Sequence, residues 1–284
     1  MRAIARKVGA PEGHPDVAAQ AILAAKIQNR TATNAPWTGV DVFTGGTNYA
    51  ASAAVYVKLH TGAPGDAGTS NASSDTLRKL VAWAAPSGGV IASSAAVSWT
   101  LALSGGETLS HVSYWDALTG GNCIGNAALS ATAAMVNGET FTLSSGGLTQ
   151  TISGTKWSDF VKNAILNAWA GLATFTAAAA LYLKVHTGDP GSAGTSNAAT
   201  ETTRKAVTFG TPASSASIAN TAAVTWTGMA GPTAPTTESV SWGSWWDALT
   251  GGNFLGRDDL ATARAISSGD SLDVAIGAFT LSAS

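Results

Sequence analysis

With 284 residues, 45% of them apolar and only 11% charged, the chain can fill two ordinary cores but must build its surface from Ser, Thr, Asn, Gly and Ala. A formal net charge of −2 supplies no field for nucleic acid, and no apolar run reaches the length of a membrane span, so neither nucleic acid nor membrane insertion is expected. The single cysteine, Cys123, excludes a disulfide within the chain and argues against a cysteine-ligated metal.

The first 48 residues read as an N-terminal arm. The start, "MRAIARKVGAPEGHPD", is basic but lacks the apolar stretch of a secretory signal, so synthesis in the cytoplasm is expected. Pro15 opens a helix with Val17, Ile22, Ala25 and Ile27. The Gly/Thr/Asn-rich stretch "TATNAPWTGVDVFTGGTNYA" then reads as an extended linker.

From residue 49 the pattern changes to β. "VYVKLH" (55–60) alternates apolar and polar residues, as a half-buried strand does. Further strands are predicted near 78–84, 95–101, 108–116, 122–130, 139–143 and 147–152. Their turn-rich spacing predicts an antiparallel β-sandwich over 49–153.

After Gly154 the chain repeats itself. Ser158 reads as a helix N-cap, Asp159 as an acid at the positive helix end and Gly171 as the C-terminal stop. Val161, Ile165, Ala168, Trp169 and Leu172 fall on one face. A second sandwich follows, so residues 154–284 form a helix plus a second repeat. His60 corresponds to His186 and Arg78-Lys79 to Arg204-Lys205 at an offset of 126; "WDALTGGN" at 115–122 returns unchanged at 246–253, an offset of 131. The drift places insertions in "TGMAGPTAPTTES" and in an earlier connection.

Two duplicated motifs could carry chemistry. "HTGxPGxAGTSN" (60–71 and 186–197) is Gly-rich, but it is followed by strand rather than helix and lacks the Gly-Lys-Ser/Thr of a phosphate cradle. Its carboxylates differ between copies: Asp66 matches Ser192, and Ala63 matches Asp189. It therefore reads as a structural loop. "WDALTGGN" reads as a hairpin turn in which Asp116, Gly120 and Gly121, and again Asp247, Gly251 and Gly252, make the turn. A Trp–Asp pair gripping a sugar is the alternative.

Of the four histidines, only His60 and His186 correspond, so no repeated pair exists to bind zinc, and no GxSxG elbow accompanies the serines. The chain is read as having no catalytic residue, no metal and no cofactor. Among the ten tryptophans, Trp99 and Trp226 are equivalent and belong to cores. Trp157, Trp169, Trp242 and Trp245 have no tryptophan counterpart and are the candidates for subunit interfaces.

The stretches "VHTGDPGSAGTSNAATETTRKAVTFG" and "WDALTGGNFLG", with their first-copy equivalents, resemble small β-sandwich structural proteins of long-tailed phages, common in actinobacterial phages and described as minor tail, tail-fibre-like or capsid-accessory proteins. The resemblance implies a non-enzymatic virion component whose partners are other virion proteins. Three copies of a two-domain chain would supply six similar sandwiches, so a homotrimer is the expected assembly. The tail or tail tip is the expected place on the virion, a capsid decoration protein is the alternative placement, and a host cell-wall glycan is a further candidate partner.

Overall fold

The computed structural model describes residues 54–152, 154, 156–174, 178, 180–209 and 217–282. The expected N-terminal arm, first-copy helix and linker (1–48) lie outside them.

The first repeat contains eight strands: β1 (Val55–His60), β2 (Lys79–Val81), β3 (Val90–Ala92), β4 (Val97–Thr100), β5 (Glu107–Trp115), β6 (Cys123–Met135), β7 (Thr140–Leu143) and β8 (Thr149–Thr151). Helix α1 (Asp159–Trp169) follows. The second repeat has β9 (Leu181–His186), β10 (Lys205–Val207), β11 (Ser217–Ala219), β12 (Val224–Trp226), β13 (Glu238–Trp246), β14 (Phe254–Ile266), β15 (Leu272–Val274) and β16 (Thr280–Ser282). Each repeat has one more strand than the pattern predicts. The short β3 was missed because "VIA" is flanked by Gly88-Gly89 and by small polar residues, too brief for a visible alternation.

Strand order is the same in both repeats. A four-stranded antiparallel sheet runs β2-β1-β5-β6, with two-stranded ribbons β3-β8 and β4-β7. Its counterpart is β10-β9-β13-β14, with ribbons β11-β16 and β12-β15. Val55, Val57 and Leu59 of the sheet meet Ile91, Val97 and Trp99 of the ribbons in one core; Leu181, Leu183 and Val185 meet Ile218, Val224 and Trp226 in the other. Trp99 and Trp226 are almost wholly buried, and their indole N–H groups donate to the Leu77 and Thr203 carbonyls at 3.1 and 3.0 Å. The longer insertion of the second copy falls between β12 and β13.

Helix α1 is capped as its sequence dictates. The Ser158 hydroxyl accepts the Val161 N–H, and Gly171 (φ 75°) lets Leu172 N–H reach the Asn167 carbonyl while its own N–H reaches that of Ala168. Its burial departs from the single predicted face. Val161 and Ala168 enter the second core, Leu166 and Trp169 enter the first, and Leu172 is exposed. A helix wedged between two sandwiches needs two apolar faces, so Leu166 is buried although it lies off the predicted stripe.

Candidate functional site

The duplicated loop and hairpin lie together on the outer face of each four-stranded sheet. Alternation puts Val55, Val57 and Leu59 inside, which turns Tyr56, Lys58 and His60 outward. Cross-strand pairing sets Tyr56 against Trp115, Lys58 against Ser113 and His60 against His111. In the second repeat Tyr182, Lys184 and His186 face Trp246, Ser244 and Trp242.

A polar relay closes this face. Trp115 donates its indole N–H to Ser113 Oγ at 2.7 Å, and Ser113 Oγ lies 2.7 Å from His60 Nε2. His60 Nδ1 lies 2.9 Å from the Ser70 carbonyl, which can only accept, so Nδ1 carries the ring proton and Ser113 donates to Nε2. The second repeat reproduces the relay with Trp246, Ser244, His186 and Ser196 at 2.9, 2.8 and 3.0 Å. Burial lowers the pKa of both histidines; the carbonyls of Ser70 and Ser196 partly offset this, and Lys58 and Lys184 lower it further.

A serine beside a histidine has the spacing of a nucleophile and its base. Here Ser113, Ser244, His60 and His186 are all completely buried, each serine oxygen already accepts an indole N–H, and each Nδ1 faces a carbonyl rather than a carboxylate. The arrangement ties the long loop to the sheet. The serines escaped the sequence reading because serine is abundant; their shared offset from the WDALTGGN motif was the available signal.

The loop ends are pinned to each other. Thr61 N–H donates to the Asn71 carbonyl at 2.8 Å, and Asn71, itself at φ 48°, donates from Nδ2 to the Ala63 carbonyl at 2.9 Å. The differing carboxylates have a local explanation. Asp189 pairs with Arg257 at 2.8 Å, whereas in the first repeat Ala63 stands at the Asp189 position and Asn126, at the Arg257 position, donates to the Gly65 carbonyl at 3.2 Å. Each repeat ties its loop to the outer strand with its own chemistry.

In the hairpin, Asp116 accepts the Asn122 backbone N–H at 2.7 Å and its side-chain amide at 2.9 Å. Asp247 and Asn253 do the same at 2.6 and 2.7 Å. Gly120 and Gly121 sit at φ 61° and 66°, Gly251 and Gly252 at 62° and 70°. Arg78 reaches over from beside β2: its Nη1 donates to the Ala117 and Gly120 carbonyls at 2.8 and 2.5 Å, with the guanidinium 3.6 Å above the Trp115 ring. Arg204 repeats this with Ala248, Gly251 and Trp246. The Trp–Asp pair is thus already covered and hydrogen-bonded within the chain.

The candidate interface tryptophans have other duties. Trp169 is 5% exposed and Trp245 3% exposed, so both belong to cores, a correction to their expected place at a surface. Trp169 packs edge-on against Trp83 and Tyr114 at 5.1 and 5.3 Å. Trp157 is half-buried and packs edge-on against Trp245 at 6.0 Å; Trp242 is half-buried on the outer face.

A cleft of about 380 Å³ opens in the first repeat between β6 and the β7–β8 turn, beside Tyr114. Burial pushes the Tyr114 phenol up to about 12, against an opposing pull from Gln150. The equivalent cleft of the second repeat is only about 130 Å³, with Trp245 and Phe279 where the first repeat has Tyr114 and Leu148. Among the described residues, no group of His, Cys, Asp and Glu is arranged to hold a metal, and no helix is long and apolar enough to cross a membrane.

Residues 31–151 and residues 156–282 each match the model of one protein family, described as Podophage GP4 fiber I protein gp80. The second match opens just before α1, and each match spans all eight strands of its repeat. No curated protein matches the chain.

Proposed function

This chain belongs to the Podophage GP4 fiber I protein gp80 family, and from that premise we propose that it is a non-enzymatic building block of a phage tail or fibre, working through subunit packing. The observation that carries this is the coincidence of each family match with one whole sandwich. The residues that recur between copies are spent on closing loops and hairpins: His60 with Ser113, Asp116 with Asn122, Arg78 with two carbonyls.

The finer placement is at the tail tip, as a homotrimer that brings six similar sandwiches together. The family description supports a fibre; it offers no support for the attribution to long-tailed phages of actinobacteria. Labelled antibody against the chain on intact particles, with the native mass of the purified protein, tests both. Label on tails or fibres and a mass of three chains is the expected result. Label over the capsid would make it a decoration protein, and unlabelled particles would sink the structural role. A glycan platform built on Trp242 and Trp245 is disfavoured, because Trp245 is buried and Trp242 half-buried.

A further inference from the structure

We infer that each sandwich carries an oxyanion-binding site on its outer face, between Lys58 and Arg78 in the first repeat and between Lys184 and Arg204 in the second.

The site follows from register. β1 pairs with β2 as Tyr56 with Leu80 and Val57 with Lys79, so the next position sets Arg78 opposite Lys58. β9 and β10 pair in the same way, which sets Arg204 opposite Lys184. Like charges directly opposite on neighbouring strands destabilise a sheet. Only 11% of this chain is charged, yet the unfavourable pair is present twice. The copies differ freely nearby, Leu77 against Thr203 and Leu80 against Ala206, so the pair is not a by-product of identical sequence.

The four cations are half-buried. Burial, and then the neighbouring arginine, lowers the pKa of Lys58 and of Lys184. The ion pairs among the described residues involve Lys156, Lys162 and Arg257, not these four. Burial lowers the pKa of Arg78 and Arg204, and the neighbouring carboxylates Asp116 and Asp247, which also accept from Asn122 and Asn253, partly offset this.

Each arginine is fixed in place by its stack on tryptophan and by two bonds from Nη1. A guanidinium has five N–H donors, and the Nε and Nη2 groups have no hydrogen-bond acceptor among the described residues. With the ammonium of the lysine at the facing strand position they supply a set of donors that has no protein acceptor among the described residues. Tyr56 and Tyr182, half-buried one alternation away, add a flat apolar wall.

Donors of this kind take a phosphate or a carboxylate. Two sites in one chain suit a polymer that repeats its anion, because the second contact is then intramolecular. The ligand class is an anionic polysaccharide of a bacterial surface bearing phosphate or carboxylate groups. That source rests on the fibre reading; the oxyanion site itself does not. Duplex nucleic acid is disfavoured by the net charge of −2.

The test is thermal denaturation of the full chain in sodium phosphate against sodium chloride of equal ionic strength. For the native sequence, phosphate should raise Tm saturably by roughly 2–4 °C. Lys58→Met with Lys184→Met should abolish that increment while raising Tm in chloride, and Lys58→Arg with Lys184→Arg should keep it. An equal response to phosphate in native and methionine forms overturns the site. Titration with poly(glycerol phosphate), polyglucuronate and duplex DNA then tests the source. Binding of the first two, lost in the methionine form, is expected. Preference for DNA, or a phosphate effect without polymer binding, overturns the polysaccharide.

Discussion

Trp169 donates its indole N–H to the carbonyl of Ile124, 3.2 Å away and in the other repeat. Ile124 is the extra residue of a β-bulge: Tyr114 pairs with Gly125 and Trp115 with Cys123, leaving Ile124 outside the ladder. The second repeat has the same bulge at Leu255, between Gly256 and Phe254. There the freed carbonyl accepts the backbone N–H of Ser158 at 3.0 Å. Two equivalent carbonyls are thus satisfied from the two ends of one helical segment, which ties the sandwiches together.

Trp169→Ala should therefore uncouple the repeats. Loss of a large buried ring costs about 3–5 kcal/mol, and the Ile124 carbonyl is left unpaired. Urea unfolding followed by fluorescence and by circular dichroism should separate into two transitions where the native chain shows one. Trp169→Phe keeps the packing against Trp83 and Tyr114 and should cost less, about 1–3 kcal/mol. A single, unshifted transition for the alanine variant would show that α1 does not couple the sandwiches.

The two glycines of each hairpin should respond unequally to alanine. A Cβ on Gly121 would collide with Asp116 and with Ala117, whereas one on Gly120 meets open space. Both have left-handed backbone, so Gly120→Ala carries only that strain, about 1–2 kcal/mol. Gly121→Ala must also break the clasp between Asp116 and Asn122 and should cost at least twice as much. Gly251→Ala and Gly252→Ala should show the same ranking, read from urea midpoints.

These hairpins mark how far the sequence could be read. The Asp–Gly–Gly–Asn arrangement was legible because turn geometry is local and fixes residue types at short range. The sandwiches were legible because alternation in VYVKLH and LYLKVH reports directly which face is buried. What escaped was non-local. Nothing near Trp169 in the sequence reveals a carbonyl 45 residues away or a second apolar face meeting another sandwich. The exchange of Asp189 and Arg257 for Ala63 and Asn126 makes sense only in the fold, which brings Asp189 to Arg257 in one repeat and Asn126 to the Gly65 carbonyl in the other.

Stability should fall on acidification through the two buried histidines. Both pKa values lie below the ordinary value of about 6.5 in the folded chain, so the unfolded chain binds more protons in that interval. The contribution is complete above pH 6.5 and is lost as pH falls toward the lowered folded values. Glu107 and Glu201 act at lower pH. Burial tends to raise both, but hydrogen bonds from Ser74 and Ser73, and from Thr203 and Ala230, outweigh it and leave them below the usual glutamate value. Urea midpoints from pH 8 to 5 should decline, and His60→Asn with His186→Asn should flatten the decline. A native curve flat across this range would refute the neutral relay.

The serine at the centre of each relay gives the sharpest test of that arrangement. Ser113 accepts from Trp115 and donates to His60; Ser244 does the same for Trp246 and His186. Alanine removes both partnerships in a site with no exposed surface. The indole N–H and the histidine Nε2 are then buried without partners, at about 1–3 kcal/mol for each group left unsatisfied. Ser113→Ala and Ser244→Ala should each lower stability by about 2–5 kcal/mol, since the geometry of the copies matches to within about 0.2 Å at both bonds. Hydrogen exchange should also report where the damage goes. The Thr61 and Ser70 amides, bonded to the Asn71 and Pro64 carbonyls, should lose protection in the first variant, and the Thr187 and Ser196 amides in the second. If the loops keep their protection while global stability falls, the serines support the sheet alone and the histidines do not hold the loops.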